Sequence, residues 1–531
     1  MSQNDVRLTF GVEVECLVPW VFVGQQDPQA DVKGLPSVIR VSKDDLKHRV
    51  EEMGDPDDAV GEIIFEQFRS TFNELGLIST LTSTRPDNPY TQWQVEGDAS
   101  VDEVDSLGYG TDDSEFDLTS QWVAVEIQSP AEYATPEGFE AIRSTLGILT
   151  QKYRMRVNET CSIHVHVGQG NEPFPLHMIR RIAALSYAAE LLLFTLHDPL
   201  RRVNTWCKPM REYSNLARGL PDIPYHAGDP NEPGFTTNCL RYLGADVRHG
   251  EEPISWREKH LDEETIKAFE RTRQPGHFEP FQGIVGPSNP QDNGATPVPQ
   301  PRAASNEHDQ TIAERVRSVL TTNPLQENDG DDATSRHQPA RTRKLPRIAL
   351  PRYTDAEIQQ LTERLEDLTG DAVHRGVAGE PRGTGVGAFA GAARIFAAPS
   401  SCHVAEMVSS ATSARGSINF EHYLCGSVAS SRGASSTNSK RTVEFRLGEG
   451  SLEGAWVAAW ARVCVGFVEF ALFAGVDEYL EVLARCEAAS ERDGVYDVLD
   501  LLDDLGLYAE AQIAEERIAQ KSKEWGMKFV E

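Results

Sequence analysis

Four short segments of this chain alternate between aliphatic and charged residues. In Phe10-Gly11-Val12-Glu13-Val14-Glu15 both carboxylates fall on one face and the apolar side chains on the other. Val123-Ala124-Val125-Glu126-Ile127, Ile163-His164-Val165-His166-Val167 and Val443-Glu444-Phe445-Arg446-Leu447 repeat the arrangement. Period two is that of a β-strand with one face against a core. Taken singly, each strand fits a face that simply meets water. Taken together they do not, because glutamate is depleted in strands. Neighbouring carboxylates also repel one another unless a cation or an arginine neutralises them. Glu and His are donors for divalent cations, so the set predicts a sheet whose polar face holds metal.

The remaining pattern predicts an α+β chain. Residues 6–18 read as a strand, followed by an insertion at 26–90 with one amphipathic helix over Ser42–Leu75. Strands at 92–97 and 120–128 flank a solvated acidic loop, Asp102 to Asp117. Pro136 opens a helix that runs to about Tyr153, proline being tolerated in a first turn. A strand at 160–168 and a helix from Leu176 to about His197 come next. From Pro275 to Lys344 the chain is rich in Pro, Gln, Asn, Ser, Thr, Gly and charge. Such a stretch buries too little apolar surface to offset its ordering entropy, and reads as a disordered insertion with a short helix near Gln310–Leu320. Gly370 to Ser401 contains GTGVGAFAGAAR, which lacks G-x-x-x-x-G-K-[ST] and reads as a flexible loop. Order resumes at Ala414, with strands at 415–422 and 441–447 around a Ser/Gly loop, Gly426–Ser439. A helix from Gly454 to about Gly475 and two helices within 491–527 complete the chain. The organisation is one core in two parts, 1–270 and 345–531, interrupted at 26–90 and 275–344.

Charge narrows the partners. Lys+Arg number 51 against 82 Asp+Glu, a net charge of −31 over 531 residues. A field of that sign repels nucleic acid and anionic membrane, and neither is expected as a partner. The eight cysteines are scattered without a C-x-x-C pair, as in a reduced intracellular protein. The N-terminus MSQNDVRLTF lacks the basic and apolar regions of a signal peptide, and the apolar segment Ala455–Phe473 carries Arg462 and Glu469. A cytoplasmic protein is the expectation.

With GVEVE (11–15), VEGDAS (95–100), VEIQSP (125–130), HVHVG (164–168), RRVNTWCKP (201–209), RGSINF (415–420) and TVEFRLGEGSLEGAWVAAW (442–460) in view, the sequence resembles the amidoligase family. That family lies within the glutamine synthetase and glutamate–cysteine ligase-like superfamily of carboxylate–amine ligases. The resemblance implies an antiparallel sheet curved into a half-barrel with helices on its outer face. It implies ATP and two or more Mg²⁺ ions, with Mn²⁺ as an alternative, and amide formation through an acyl phosphate. By position, Glu13 and Glu15 resemble the metal ligands of the first strand, Glu126 a further carboxylate ligand, and Glu444 the last. His166, with His164 beside it, resembles the histidine near the nucleotide metal, and Arg446 the arginine that meets phosphate. Asp98 lies in a D-x-S block near metal or amine, and either Asp98 or Glu126 is the expected base. Arg201, Arg202 and Arg415 are candidates for further nucleotide arginines, each equally readable as a surface charge. The expected substrates are a small-molecule or peptide carboxylate and an amine, and the insertion at 275–344 is a candidate contact for a protein partner. Two rival readings use the same residues: a metal-dependent hydrolase without nucleotide, and a non-catalytic scaffold that keeps the fold.

Overall fold

The computed structural model describes residues 7–77, 79, 89–101, 109, 116, 118, 120–219, 342–369, 382–383, 386–398, 400–410, 416–424 and 441–530. The expected insertion up to residue 341 with its short helix, the Ser/Gly loop Gly426–Ser439, nearly all of the acidic loop and Arg415 lie outside the described residues.

The elements of the N-terminal half are β1 (Thr9–Phe22), β2 (Ile39–Val41), α1 (Lys43–Met53), α2 (Pro56–Glu74), β3 (Gln94–Glu96), β4 (Trp122–Gln128), β5 (Glu132–Tyr133), α3 (Pro136–Lys152), β6 (Ser162–Gly168), α4 (Leu176–Leu193) and α5 (Met210–Tyr213). The C-terminal half supplies β7 (Arg347–Ile348), α6 (Asp355–Thr369), α7 (Ala388–Ala397), α8 (Ser401–Val408), β8 (Ile418–Asn419), β9 (Val443–Glu449), α9 (Gly454–Phe473), α10 (Val476–Glu491), α11 (Val498–Asp504), α12 (Tyr508–Lys521) and β10 (Phe529–Val530). The fold is α+β, built on an antiparallel path β3-β4-β1-β6-β9-β8, with β5 antiparallel and β2 parallel to opposite ends of β1. Among the described residues β3 and β8 end the path, so the sheet does not close into a barrel. Both halves of the chain therefore contribute to one sheet.

The alternation seen in sequence sets the layers. Val12, Val14, Val125, Ile127, Ile163, Val165, Val167, Val443 and Phe445 join one apolar core with α3, α4 and α9. Nine aliphatic and aromatic side chains at about 1.5–3 kcal/mol each make this face the main anchor of the sheet. On the opposite face, Leu17, Val21, Trp122, Tyr109 and Cys161 form a smaller apolar cluster at one end. This leaves the charged positions of β1 as a polar zone bounded by apolar surface. Among the described residues one helix, Gly454–Phe473, is long and apolar enough to cross a membrane, and 72% of its most apolar window is buried inside the protein.

Three expectations are corrected. The single helix over Ser42–Leu75 is two. Gly54 ends α1 in the left-handed region (φ 87), and Asp55 caps α2 by accepting from the N–H groups of Asp57 and Asp58, with Pro56 in the first turn. Gly-Asp-Pro is a stop followed by a start. The flexible loop expected over GTGVGAFAG (383–391) runs into α7, whose Gly391 packs on α4 so closely that a Cβ there would sit 2.1 Å from the Tyr187 ring. The small residues serve helix approach, not flexibility. The strand expected at 415–422 is only Ile418–Asn419, followed by a 3₁₀ turn at Glu421–Tyr423. Helix α10 went unrecognised, because the segment after Gly475 opens with acidic residues and looks like a connection.

Candidate active site

Register brings the charged residues into rows. Glu13 of β1 lies opposite His164 of β6, and Gly11 opposite His166. His166 faces Glu444 of β9, which faces Asn419 of β8. On the other side of β1, Glu15 lies opposite Glu126 of β4, which lies opposite Glu96 of β3. Between Ile163 and Val165 the pairing with β9 slips by one residue, a bulge that sits beside Arg446 and Leu447. Past it the two strands close up at Gly448, where a Cβ would lie 2.6 Å from the carbonyl of Ile163.

The centre of the zone is Glu13, His166 and Glu444, whose ligand atoms lie within 4.8 Å of one another. His166 Nε2 is 3.2 Å from Glu13 Oε1 and 3.8 Å from Glu444 Oε1. It is buried and makes no hydrogen bond, while Nδ1 is held 3.1 Å from the Thr442 hydroxyl. That is an imidazole oriented by one nitrogen with the other turned between two carboxylates, as in a metal ligand steadied from behind. The two carboxylates are steadied as well. Glu13 Oε2 is 3.1 Å from His164 Nδ1, and Glu444 accepts from Arg446 and from Asn419 Nδ2 (2.8 Å).

Charge follows from these contacts. Burial opposes ionisation of Glu13, but His166 and His164 outweigh it and hold the carboxyl well below its usual range. Burial likewise opposes the imidazolium of His166, and Glu13 and Glu444 push it up to about 9. For Glu444 burial is overcome by Arg446 and then by the two histidines, bringing the carboxyl down to about 2. Arg446 is held more firmly protonated by Glu444, Glu15 and Glu13 despite its burial. The opposite happens across β1. Burial raises Glu15, and burial with the charges of Glu13 and Glu15 raises Glu126 well above the carboxylate range. The two sides of the zone thus shift in opposite directions, the paired carboxyls of Glu13 and Glu444 being lowered and those of Glu15 and Glu126 raised.

The other expected residues take distinct places. Glu15 is 1% exposed and accepts from Ser162 N (2.8 Å) and Oγ (2.7 Å). His164 has both nitrogens engaged, Nδ1 toward Glu13 and Nε2 2.7 Å from Ser162 Oγ, which makes it a link between carboxylates. Glu126 accepts from Gln128 Nε2, which also reaches Glu96. Asp98 closes a tight turn by accepting from Ser100 N and Oγ (2.6 Å each), and its charge reaches Glu15 and Glu126. Arg201 lies under the sheet and donates to the carbonyl of Arg446 (2.8 Å), whereas Arg202 pairs with Glu212. Arg202 is thus drawn away from the zone, and Arg415 is outside the described residues.

Several contributors were not recognised from sequence. His422 stands edge-on to His166, ring centroids 6.0 Å apart, on the 3₁₀ turn that replaces the end of the strand expected at 415–422. Trp206 supplies a carbonyl to Arg446 Nε (3.1 Å), a role independent of its side chain. Glu190 of α4 is fully buried beneath β8, accepting from the N–H groups of Met210 (2.7 Å) and Arg211 (2.9 Å) and from the Ser417 hydroxyl. Burial pushes its carboxyl up to about 7. The Ser417 carbonyl in turn takes the N–H of Arg446 (2.7 Å), so Glu190 secures the strand beside the charged centre. Within a helix of apolar spacing, Glu190 reads as one polar interruption.

Comparison with known proteins fits this geometry. No curated protein and no solved structure matches the chain. A family model described as "Putative amidoligase enzyme" matches residues 6–220, which span β1, β4 and β6 and all their charged positions except those of β9. Over residues 6–220 the chain is similar to the amidoligase family.

Proposed function

We propose that this protein is an ATP- and Mg²⁺-dependent carboxylate–amine ligase that forms an amide or isopeptide bond through an acyl phosphate. The observation that carries the reading is the convergence of Glu13, His166 and Glu444 from three strands, with the buried Nε2 of His166 left without a hydrogen bond. The two carboxylates suit Mg²⁺ or Mn²⁺, and the imidazole is a nitrogen donor that the softer Mn²⁺ accepts more readily than Mg²⁺. The curved half-barrel of the superfamily and a cytoplasmic setting belong to the same reading.

Glu13, His166 and Glu444 would hold the cation, and His166 would give up its proton to do so. When bound, the divalent ion neutralises phosphate charge so that two anionic reactants can approach. Arg446, held by Glu444 and by the Trp206 carbonyl, would turn toward phosphate oxygens when nucleotide binds. On the other side of β1, burial and the charges of Glu13 and Glu15 raise the Glu126 carboxyl well above its ordinary value, and Glu126 would be the base. Asp98, beside it, would hold the incoming ammonium by charge.

The test is ADP release from MgATP with pooled amino acids as acid and amine, in wild type and in Glu13→Gln. Release that depends on the amino acids and disappears in the variant supports the ligase. Metal-dependent cleavage of amide substrates without ATP would replace it with the hydrolase.

A further inference from the structure

The 3₁₀ turn Glu421–Tyr423 follows β8 outside the sheet, and it is tied down on either side of His422. Before it, the N–H of Glu421 donates to Asn419 Oδ1 (2.9 Å), while Asn419 Nδ2 donates to Glu444 (2.8 Å). After it, the buried Tyr423 donates its hydroxyl to the carbonyl of Arg441 (3.1 Å) and accepts the N–H of Phe174 (3.1 Å). Asn419 thus holds the candidate ligand Glu444 with its amide and the turn of His422 with its carbonyl. The anchored neighbours set where the His422 ring stands, edge-on to His166.

The other groups of the charged centre have hydrogen-bond partners within the protein: Glu13 and His164 each other, His166 Thr442, and Glu444 and Arg446 each other. His422 does not. Among the described residues neither of its ring nitrogens has a hydrogen-bond partner, and neither is buried. An imidazole carries at least one N–H in either protonation state, so the ring presents a donor to whatever enters. The cluster is open beside it. Glu13 and His166 keep 24% and 21% of their side-chain surface, against 5% for Glu444 and 4% for His164. Yet His422 is outside the set whose ligand atoms gather within 4.8 Å. A group so placed meets what a cation carries, and not the cation. Mg²⁺ takes one or two carboxylates and fills its other positions with water and substrate phosphate. Phosphate oxygens only accept, and an N–H at their flank is matched to them.

We infer that His422 is a phosphate-binding residue, whose ring N–H donates to an oxygen of the phosphate chain carried by the divalent ion at Glu13, His166 and Glu444. The inference rests on the metal-nucleotide reading above and adds a contact that none of the four charged strands supplies.

The experiment is calorimetry of ATP and of tripolyphosphate, each with Mg²⁺ and without acid or amine, on full-length wild type, His422→Phe and His422→Gln. Electron paramagnetic resonance of Mn²⁺ alone is measured on the same proteins. Phenylalanine keeps a ring against His166 and removes the donor, and glutamine restores an N–H. His422→Phe should weaken both phosphate ligands about tenfold or more, the scale of one hydrogen bond to a charged group, and His422→Gln should recover part of the loss. Mn²⁺ affinity should stay the same in both variants, which also shows that the cluster beside the turn is intact. Equal binding by wild type and His422→Phe would overturn the inference. So would a loss confined to ATP, which would put the ring at the nucleoside, or a matching loss of Mn²⁺ affinity, which would make it a ligand of the ion. Wild type that binds Mn²⁺ but neither phosphate ligand would instead remove the metal-nucleotide reading, and the inference with it. None of these readouts depends on ligase activity.

Discussion

Glu190 gives a stability prediction that can be worked from the structure. Its carboxyl rises from an ordinary 4.5 to about 7 because the side chain is fully buried under β8. Between those values the folded protein holds a proton that the unfolded chain has released. This group's contribution is therefore fully present below pH 4.5 and falls as pH rises through 7, above which it is constant. At 1.36 kcal/mol per unit the loss is about 3 kcal/mol. Glu190→Gln cannot ionise, so it removes this slope, whatever offset it adds by presenting an amide to the N–H groups of Met210 and Arg211. The assay is urea unfolding from pH 4.5 to 8 for both proteins. Other raised carboxyls, such as that of Glu126 and that of Asp500 (the latter at about 6), contribute equally to both and cancel in the difference. The stability of wild type relative to variant should fall by about 3 kcal/mol across the window. A difference that stays flat with pH would refute the reasoning.

Three further outcomes follow from the packing and the charges. Gly391→Val must force α7 from α4 and should destabilise by about 1–3 kcal/mol in urea unfolding; an unchanged midpoint would contradict the helix contact. Because His166 is protonated below about 9, Mn²⁺ must displace a proton, and affinity measured by electron paramagnetic resonance should rise up to ~10-fold per unit from pH 7 to 9. Affinity that does not change with pH would remove His166 from the ligand set. Deleting 280–340, whose composition lacks the apolar content for a core, should leave a folded protein with unchanged circular dichroism, and unfolding on deletion would show that the segment is structural.

The charged face was legible because strand alternation states which residues share a side, and Glu and His on that side are costly without a purpose. What one strand cannot state is its neighbour. The pairing of Glu13 with His164, and of His166 with Glu444, comes from registers between segments as much as 278 residues apart (His166 and Glu444), and the bulge beside Arg446 shifts that register by one. The same limit explains Arg201 and Arg202. They are adjacent in sequence, yet the turn that carries them sends one under β9 and the other to Glu212. His422 and Trp206 act from a turn and through a carbonyl, neither of which leaves a residue pattern. Small residues misled in GAFAGAAR, since glycine and alanine serve a close helix contact as readily as a loop. Gly54-Asp55-Pro56 was readable, and the helix pattern on either side of it concealed the break.

The central claim is that β1, β6 and β9 assemble a site for a metal nucleotide. Calorimetry of ATP binding, with Mg²⁺ and with EDTA, on wild type and on Glu444→Gln tests it most directly. Binding that requires Mg²⁺ and is lost in the variant, while circular dichroism shows both proteins folded, is the predicted result. Binding that is equal with EDTA, or equal in Glu444→Gln, would contradict it.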